Sequence, residues 1–279
     1  MTLDATLVGH TTRAFEHDLD ARWAMAYAAS LGATDACYLD NRDGRALATH
    51  PLFPVCPEWP ALVDSLAANA VDMRHTVHAS HDLHLLAPLV PPARLLTRGT
   101  IVGVEQRRPG IFLGWRFETT DANGHLLART WQGNLFLGEQ LHGPGRWLET
   151  PPPWPTSPWT PARRLAIAIP ANLAHVYTEC ARIWNPIHTD AAVAAASGIG
   201  PPLLHGTASL ALAVSGVVTE LLDGDPRRVR RVGGRFRAPV LLPDTLELVL
   251  GEAADGVIGF ELLTPRGGRA VEHGFVVTA

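Results

Sequence analysis

The feature that most constrains the fold is an order of elements that occurs twice, on either side of a proline-rich segment. Residues 139–161 hold seven prolines and show neither helical nor strand periodicity, which is typical of a linker between domains. Upstream, helical spacing at 21–33 and 58–71 is followed by four strand-like segments between 74 and 137. Downstream, helical spacing within 190–222 is preceded by one strand-like segment and followed by four more. The two halves therefore look like repeats.

This repeated order predicts an α+β fold in which an antiparallel sheet curls around a helix, twice, and it disfavours alternating βαβ units. The chain of 279 residues is long enough for two such domains. We assign residues 1–140 to the amino-terminal domain, 141–161 to the linker and 162–279 to the carboxy-terminal domain. The segment 207–222 is apolar nearly all round, which predicts a helix buried on most faces. The linker tryptophans are expected to dock on the domains; they are Trp147, Trp154 and Trp159.

Composition excludes several classes of protein. The chain is 47% hydrophobic and 18% charged, which predicts a globular, soluble protein. It has no apolar run near the roughly 18 residues that a membrane helix needs, and no signal peptide at its start, so we expect a cytoplasmic protein without membrane contact. A net charge of −4 disfavours nucleic-acid binding.

Several kinds of covalent or cofactor chemistry are also disfavoured. All 23 basic residues are arginine, which excludes a Schiff-base lysine. The three cysteines, Cys37, Cys56 and Cys180, show neither a CxxC pair nor a framework spacing, which argues against disulfides and structural zinc. No glycine-rich phosphate loop or GxSxG elbow is present, so we expect no cofactor.

The segment from Tyr177 to Val214 carries the specific signal. It contains NPIH, an intervening helical stretch and PPLLHG, and it resembles the hydratase-2 motif of MaoC-like (R)-specific enoyl-CoA hydratases and dehydratases. The matching residues are Asn185, Pro186, Ile187, His188, Asp190, Pro202, His205 and Gly206. The resemblance implies a double hotdog, which consists of two fused domains with an antiparallel sheet wrapped around a long central helix in each.

The resemblance also implies roles for these residues. In the family, a histidine and an aspartate hold one water and add it across the double bond conjugated to a thioester carbonyl. His188 matches the histidine, and the N–H of Gly206 matches the donor that polarises the carbonyl at the start of the central helix. Asn185 either shapes the turn that aims His188 or contacts the substrate. The family's aspartate, however, falls on Ile183, which cannot transfer a proton.

Four nearby residues could replace the missing aspartate, and each has a simpler interpretation. Glu179 is either a displaced acid or base, or a carboxylate on an exposed helix turn. Asp190 is either a participant in the chemistry or the N-cap of the next helix. Arg182 either binds a substrate carboxylate or phosphate through its bidentate fork, or is a solvated cation. Tyr177 is the fourth residue near the gap.

Three other residues are candidates for contact with the substrate. His205 lies beside Gly206 and either orients the turn into the helix or contacts the substrate. Arg235 and Arg237 fall on one face of a predicted strand, where they would meet the phosphates of coenzyme A or an acidic carrier protein, or form part of a solvated sheet face.

A run of four histidines suggests a metal site, but its spacing does not support one. The histidines recur every third residue, at His75, His78, His81 and His84. On a strand, successive members of such a run point to alternate faces, so that only pairs such as His78 and His84 share a face. We therefore expect no metal.

These observations predict a hydro-lyase with one active site per chain, in which the amino-terminal half supplies part of an acyl tunnel. Its substrate would be an enoyl or 3-hydroxyacyl thioester of coenzyme A or a carrier protein, in fatty-acid or polyketide metabolism. Two alternatives stay open because of Ile183: another reaction on a similar thioester, such as isomerisation, cyclisation or hydrolysis, and a non-catalytic acyl-binding partner. We expect a monomer, a homodimer or a heterodimer with an active homologue.

Overall fold

The structure is a computed structural model that describes residues 3–71, 73, 76–198, 200–252 and 255–279. The helices are α1 Ala21–Ser30, α2 Ala36–Leu39, α3 Val55–Ala68, α4 Leu173–Ala181, α5 Ala191–Ala196 and α6 Gly206–Leu221. The strands are β1 Phe15–Leu19, β2 Thr76–Leu85, β3 Ala93–Arg107, β4 Gly110–Asp121, β5 Leu126–Leu137, β6 Arg146–Trp147, β7 Arg163–Ile169, β8 Val229–Phe236, β9 Asp244–Glu252, β10 Val257–Leu263 and β11 Arg269–Thr278. Short 3₁₀ turns lie at Ala5–Leu7, Arg42–Gly44, Pro186–His188 and Pro226–Arg228.

A continuous antiparallel sheet joins the two halves of the chain. Its strand order is β1-β3-β4-β5-β2-β8-β11-β10-β9-β7, with β6 paired to β3. Read outward from the central β2–β8 pair, each half repeats the same connectivity, so that β2 corresponds to β8, β5 to β11, β4 to β10, β3 to β9 and β1 to β7. The predicted double hotdog is confirmed. The domain boundaries that we assigned from the sequence stay a prediction.

The long helix α6 is the central helix of the carboxy-terminal half. It runs from Gly206 to Leu221, one residue earlier at each end than predicted, and it is buried almost all round against β8 to β11. It packs tightly on the sheet at Gly216, where a Cβ would lie 2.4 Å from the Leu248 side chain. A larger residue at this position would push the helix off the sheet.

The corresponding helix of the amino-terminal half is α3, which packs on β1, β3 and β4. It begins at Val55, three residues before the predicted start. Pro57 and Pro60 have no N–H to donate, but the first N–H groups of a helix have no acceptor within it, so the loss of the Pro57 donor costs little. Proline near the start of this segment is therefore compatible with a helix that extends upstream of Glu58.

The two halves share a core where α1 packs against α4. The Trp23 indole N–H donates to the Cys180 carbonyl at 3.0 Å, and the Tyr27 and Tyr177 hydroxyl oxygens lie 3.3 Å apart. Tyr177 also donates to Thr207, the second residue of α6, at 3.1 Å. These buried contacts join α1 of the amino-terminal half to α4 and to the start of α6.

The proline-rich segment is fixed to the outer face of the sheet by its tryptophans. Trp147 lies on Gly103 of β3, where a Cβ would come within 2.1 Å of the indole. Trp159 lies on Gly259 of β10, where a Cβ would come within 2.2 Å of the ring. Trp154 packs edge-on against Phe275 of β11, with ring centroids 5.4 Å apart. The expectation that the linker is docked is confirmed. Within the described residues, no helix is long and apolar enough to cross a membrane.

Candidate active site

A cavity of about 1250 Å³ is lined by both halves of the chain. The carboxy-terminal half contributes side chains from the NPIH turn and from the start of α6, and the amino-terminal half contributes α3, β2 and β5. The predicted site residues in its wall are Asn185, His188, His205, Gly206, Arg235 and Arg237. The HG and NPIH parts of the motif are therefore brought together at one cavity.

His188 ends the 3₁₀ turn Pro186–His188, which is held by Asn185. The Asn185 carboxamide oxygen accepts from the Ile187 N–H at 3.4 Å, and it thereby sets the direction of the turn. The His188 Nδ1 donates to the Leu203 carbonyl at 2.8 Å, so the neutral ring carries its lone pair on Nε2. Burial lowers the pKa of His188 to about 4. The ring is therefore a neutral imidazole at pH 7, with Nε2 as its proton acceptor.

His205 is the N-cap residue of α6, and its ring packs against that of His188. It is 2% exposed, its Nε2 is hydrogen bonded to the Thr178 hydroxyl at 3.2 Å, and its ring stacks on His188 with centroids 3.7 Å apart. Burial holds the pKa of His205 well below its usual range, and the neighbouring His188 lowers it further. His205 is thus packed as a neutral ring behind His188 and also lines the cavity.

Gly206 is the first residue of α6, so its N–H has no acceptor within the helix. The partial positive charge at the amino terminus of the helix strengthens the attraction of this N–H for a negatively charged acceptor. Gly206 also lines the cavity. A Cβ here would lie 3.2 Å from the Phe236 ring, which leaves little room for a larger residue. An oxyanion or a polarised carbonyl placed at this end of α6 would be stabilised.

The predicted aspartate position holds Ile183, which is 6% exposed and lines the cavity. The preceding Arg182 has a left-handed backbone, with φ of 58°, and turns away from the cavity. Its guanidinium carbon lies 3.9 Å from the centroid of the Trp23 ring, a cation–π contact with the amino-terminal half. Arg182 therefore stacks on Trp23 and is not part of the cavity wall, and its assignment to substrate binding stays a prediction.

The other candidates for replacing the aspartate are also absent from the wall. Asp190 caps α5, with its carboxylate accepting from the Ala192 and Val193 N–H groups at 2.9 and 3.1 Å, as predicted for a capping role. Glu179 is exposed, and its nearest polar contact is the Trp184 indole at 3.5 Å. Tyr177 is fully buried behind Thr207. None of these three side chains lines the cavity.

Arg235 and Arg237 are exposed and lie on the rim of the cavity. Arg235 sits near the end of β8, 5.3 Å from the centroid of the Trp154 ring. Arg237 follows the end of that strand and donates to the Glu272 carboxylate at 2.5 Å. Among the described residues Arg235 makes no ion pair, so its charge is available at the rim.

The strand histidines are arranged differently from our prediction. A β-bulge between His78 and Ser80 shifts the alternation by one residue. His78 and His81 consequently share the inner face, with ring centroids 5.4 Å apart, whereas His84 lies on the outer face against Trp131. The prediction that His78 and His84 share a face is therefore wrong. His75 lies outside the described residues, and among those described no three His, Cys, Asp or Glu side chains are grouped to hold a metal.

The sequence interpretation missed Glu58, which lies in the first turn of α3 and lines the same cavity. Its side chain is 3% exposed, the Thr130 hydroxyl donates to Oε1 at 2.5 Å, and Oε2 has no hydrogen-bond partner. Burial raises the pKa of Glu58 to about 8. The sequence signal was its spacing: Glu58, Leu62 and Ser65 fall on one buried helical stripe.

Comparison with known proteins agrees with the motif and the fold. The family profile described as "MaoC like domain" matches residues 155–258, and "FAS1-like, dehydratase domain region" matches residues 6–130. The chain carries a MaoC-like domain. Both halves of this MaoC-like chain are thus covered by dehydratase profiles, and the carboxy-terminal match includes the cavity residues from Ile183 to Arg237.

Relatives extend over almost the whole of this MaoC-like chain. It is 25% identical over 275 residues to the "Peroxisomal multifunctional enzyme type 2" of Drosophila melanogaster, covering 93% of this chain and 45% of that protein. It is 25% identical over 269 residues to the "3-hydroxyacyl-thioester dehydratase Y" of Mycobacterium tuberculosis, covering 92% and 90%. The chain therefore spans less than half the length of the Drosophila protein.

Solved structures show the same fold. The MaoC-like dehydratase from Phytophthora capsici superposes with a TM-score of 0.85 at 20% identity, covering 99% of this chain and 97% of that one. At this identity the likeness concerns the fold, including the fused arrangement of the two halves.

Proposed function

We propose that this MaoC-like protein adds water to an enoyl thioester, or removes it from a 3-hydroxyacyl thioester. The observation that carries the proposal is the tautomer of His188. Because Nδ1 is held by the Leu203 carbonyl, the lone pair is on Nε2, and the ring lies in the cavity wall beside the start of α6. A proton acceptor and a carbonyl-polarising N–H therefore lie next to each other.

A single ring can carry out both proton transfers in the hydration direction. His188 Nε2 takes a proton from a water as its oxygen bonds to C3 of the enoyl group. The electrons of the double bond move towards the thioester, whose developing oxyanion accepts from the Gly206 N–H. The imidazolium then returns its proton to C2, which leaves the 3-hydroxyacyl thioester and a neutral His188. Dehydration is the reverse of these steps.

The rim arginines supply the proposed contact with the carrier end of the thioester. Arg235 is exposed beside the cavity and has no acidic partner among the described residues. A guanidinium fork suits a phosphate group, which both coenzyme A and a phosphopantetheine arm contain. Arg237 contributes less in this proposal because Glu272 already neutralises it. The acyl chain would extend past His188 into the part of the cavity formed by α3 and β5.

A second candidate reaction is favoured by one observation, namely Ile183 in place of the family's aspartate. Migration of the double bond needs one base that removes a proton from one carbon and returns it to another, which His188 alone can do. It does not need a second group to orient a water. The low pKa of His188, about 4, makes it a weak base and bears equally on both reactions.

The experiment follows the ultraviolet absorbance of the conjugated enoyl thioester with purified protein and a panel of 2-enoyl-CoA and 3-hydroxyacyl-CoA thioesters. Hydration removes the conjugated absorbance, whereas dehydration creates it, and product analysis by mass spectrometry separates water addition from isomerisation. His188→Ala is the catalytic control, and Arg182→Ala is the matched control outside the cavity wall. Unchanged turnover in His188→Ala would contradict the proposal, and binding without turnover in both forms would favour an acyl-binding partner. The cytoplasmic location and the oligomeric state stay predictions.

A further inference from the structure

The amino-terminal part of the cavity has a polar wall, which is unusual for a tunnel that would hold a plain alkyl chain. Glu58 reaches it from α3, His78 from β2, and Gln132 and Asn134 from β5. Gln132 and Asn134 alternate along β5 with residue 133 between them, so they share the inner face of the sheet with Thr130. These groups form a continuous polar patch on the inner face, here called the Glu58 patch.

The hydrogen bonds within the Glu58 patch are incomplete. Thr130 donates to one oxygen of Glu58, and the other oxygen, Oε2, is buried without a partner. Gln132 donates to the Asn134 carboxamide oxygen at 2.8 Å. Within the part of the chain that the structure describes, the Gln132 carboxamide oxygen and the Asn134 amide group have no other partner. A buried polar atom without a partner costs free energy, and a bound group that satisfies it is correspondingly favoured.

The charge at this patch is also low. Among the described residues no arginine pairs with Glu58, and burial raises the pKa of its carboxyl to about 8, so the group is a neutral acid at pH 7. As an acid, Glu58 accepts from Thr130 through Oε1, and its remaining O–H at Oε2 is buried in the cavity wall without an acceptor. A cationic ligand would find no carboxylate there, whereas a hydroxyl or amide group would find donors and acceptors together.

We propose that the Glu58 patch is a recognition subsite for a hydroxyl group carried on the acyl chain, remote from the thioester. This assignment rests on the proposed function. In that proposal His188 and Gly206 hold the thioester in the carboxy-terminal part of the same cavity, and the acyl chain extends towards α3. The substrate class would be acyl thioesters with a second oxygen function beyond the C2–C3 unit. Plain alkyl chains would leave Glu58 and Asn134 unsatisfied.

Binding of unreactive thioesters tests this subsite without any turnover. Calorimetry would compare saturated acyl-CoA thioesters of six, eight and ten carbons with their ω-hydroxy counterparts, so that the hydroxyl samples successive depths of the cavity. At the length that reaches Glu58, we expect the hydroxylated ligand to bind about tenfold more tightly, since one hydrogen bond to a buried group has roughly this effect.

Two variants at one position make the result specific. Glu58→Gln keeps one acceptor and one donor without a charge, so it should preserve the tenfold difference. Glu58→Leu removes both and should abolish it. His188→Ala should preserve the difference, because the thioester end is not being compared. Binding of both series without any preference in the wild type, or an equal preference in Glu58→Leu, would overturn the subsite alone. Failure to bind any acyl thioester would instead contradict the proposed function.

Discussion

His188 and His205 stack face to face with ring centroids 3.7 Å apart and an angle of 28° between the rings. Two imidazolium ions at this separation would repel each other strongly in a buried site. At most one of the two rings is therefore expected to carry a positive charge. Nearly complete burial already lowers the pKa of both rings. Burial therefore keeps His188 in its neutral, proton-accepting form at pH 7, and the stacked His205 is neutral beside it.

The first prediction concerns the dependence of turnover on pH. A neutral His188 is required to accept a proton from water, and its pKa of about 4 means that it stays neutral down to roughly pH 5. We expect kcat/KM to be flat between about pH 5 and 7 and to fall about tenfold per unit below about pH 4. The measurement is the initial rate of hydration across this range with a stability control at each pH. An acid limb near pH 6.5 would show that the free enzyme holds a less buried histidine.

The second prediction concerns the stacked partner. His205→Asn removes the ring that faces His188 and opens space behind it, so the desolvation of His188 weakens and its pKa rises. We expect the acid limb of kcat/KM to move upwards by about one pH unit or more. His175→Asn is the matched control because His175 is exposed and its ring is hydrogen bonded to the Thr189 carbonyl, outside the cavity wall. A limb that does not move would mean that the stack has no influence on the titration of His188.

The third prediction restores the family's carboxylate at Ile183, which lies in the cavity wall close in sequence to the NPIH turn. In Ile183→Asp, the carboxylate would orient the water and stabilise the imidazolium of His188, so we expect hydration of a short enoyl-CoA to rise about tenfold or more. Ile183→Asn is the control that adds polarity without a proton-transfer group and should give a smaller gain. The same rate in both variants would indicate that the geometry around His188 has diverged from that of a two-group site.

Much of the fold could be predicted from the sequence because its signals are local. The apolar helix α6 and the proline-rich segment each follow from composition and spacing within a short window. The NPIH turn was also predictable, because Asn185 caps it through a contact only two residues away. Such elements depend on neighbours in the sequence.

The errors came from features that depend on distant parts of the chain. The bulge in β2 is defined by its register against β5, so the shared face of His78 and His81 could not be obtained from periodicity alone. The stacking of Arg182 on Trp23 could not be predicted either, because Trp23 lies in the other half of the chain. Glu58 was missed for the same reason, since its significance depends on the cavity and on Thr130 of β5.

The fourth prediction concerns the tryptophans of the linker. Trp147 packs over Gly103 and Gly114, and its indole N–H donates to Glu105 at 3.0 Å. We expect Trp147→Ala to lower the free energy of unfolding by about 2 kcal/mol, less than for a fully buried tryptophan. Trp184→Ala is the matched control, because Trp184 is 57% exposed and should cost less than about 0.5 kcal/mol. Urea unfolding of the three proteins gives the comparison.

The fifth prediction uses Glu58 to connect the cavity with stability. Its pKa is about 8 in the folded protein against an ordinary value of 4.5, so folding favours the protonated acid. The resulting stabilisation is fully present below about pH 4.5 and is lost as the pH rises towards 8, with a slope of at most about 1.4 kcal/mol per unit. Glu58→Gln has nearly the same shape and does not titrate, so the wild type should lose stability relative to this variant as the pH rises from 5.5 to 7.5. The measurement is the free energy of unfolding in urea for both proteins at the two pH values, because the difference between them cancels the titration of every other group. If this difference in free energy stays constant with pH, Glu58 is ionised in the folded cavity.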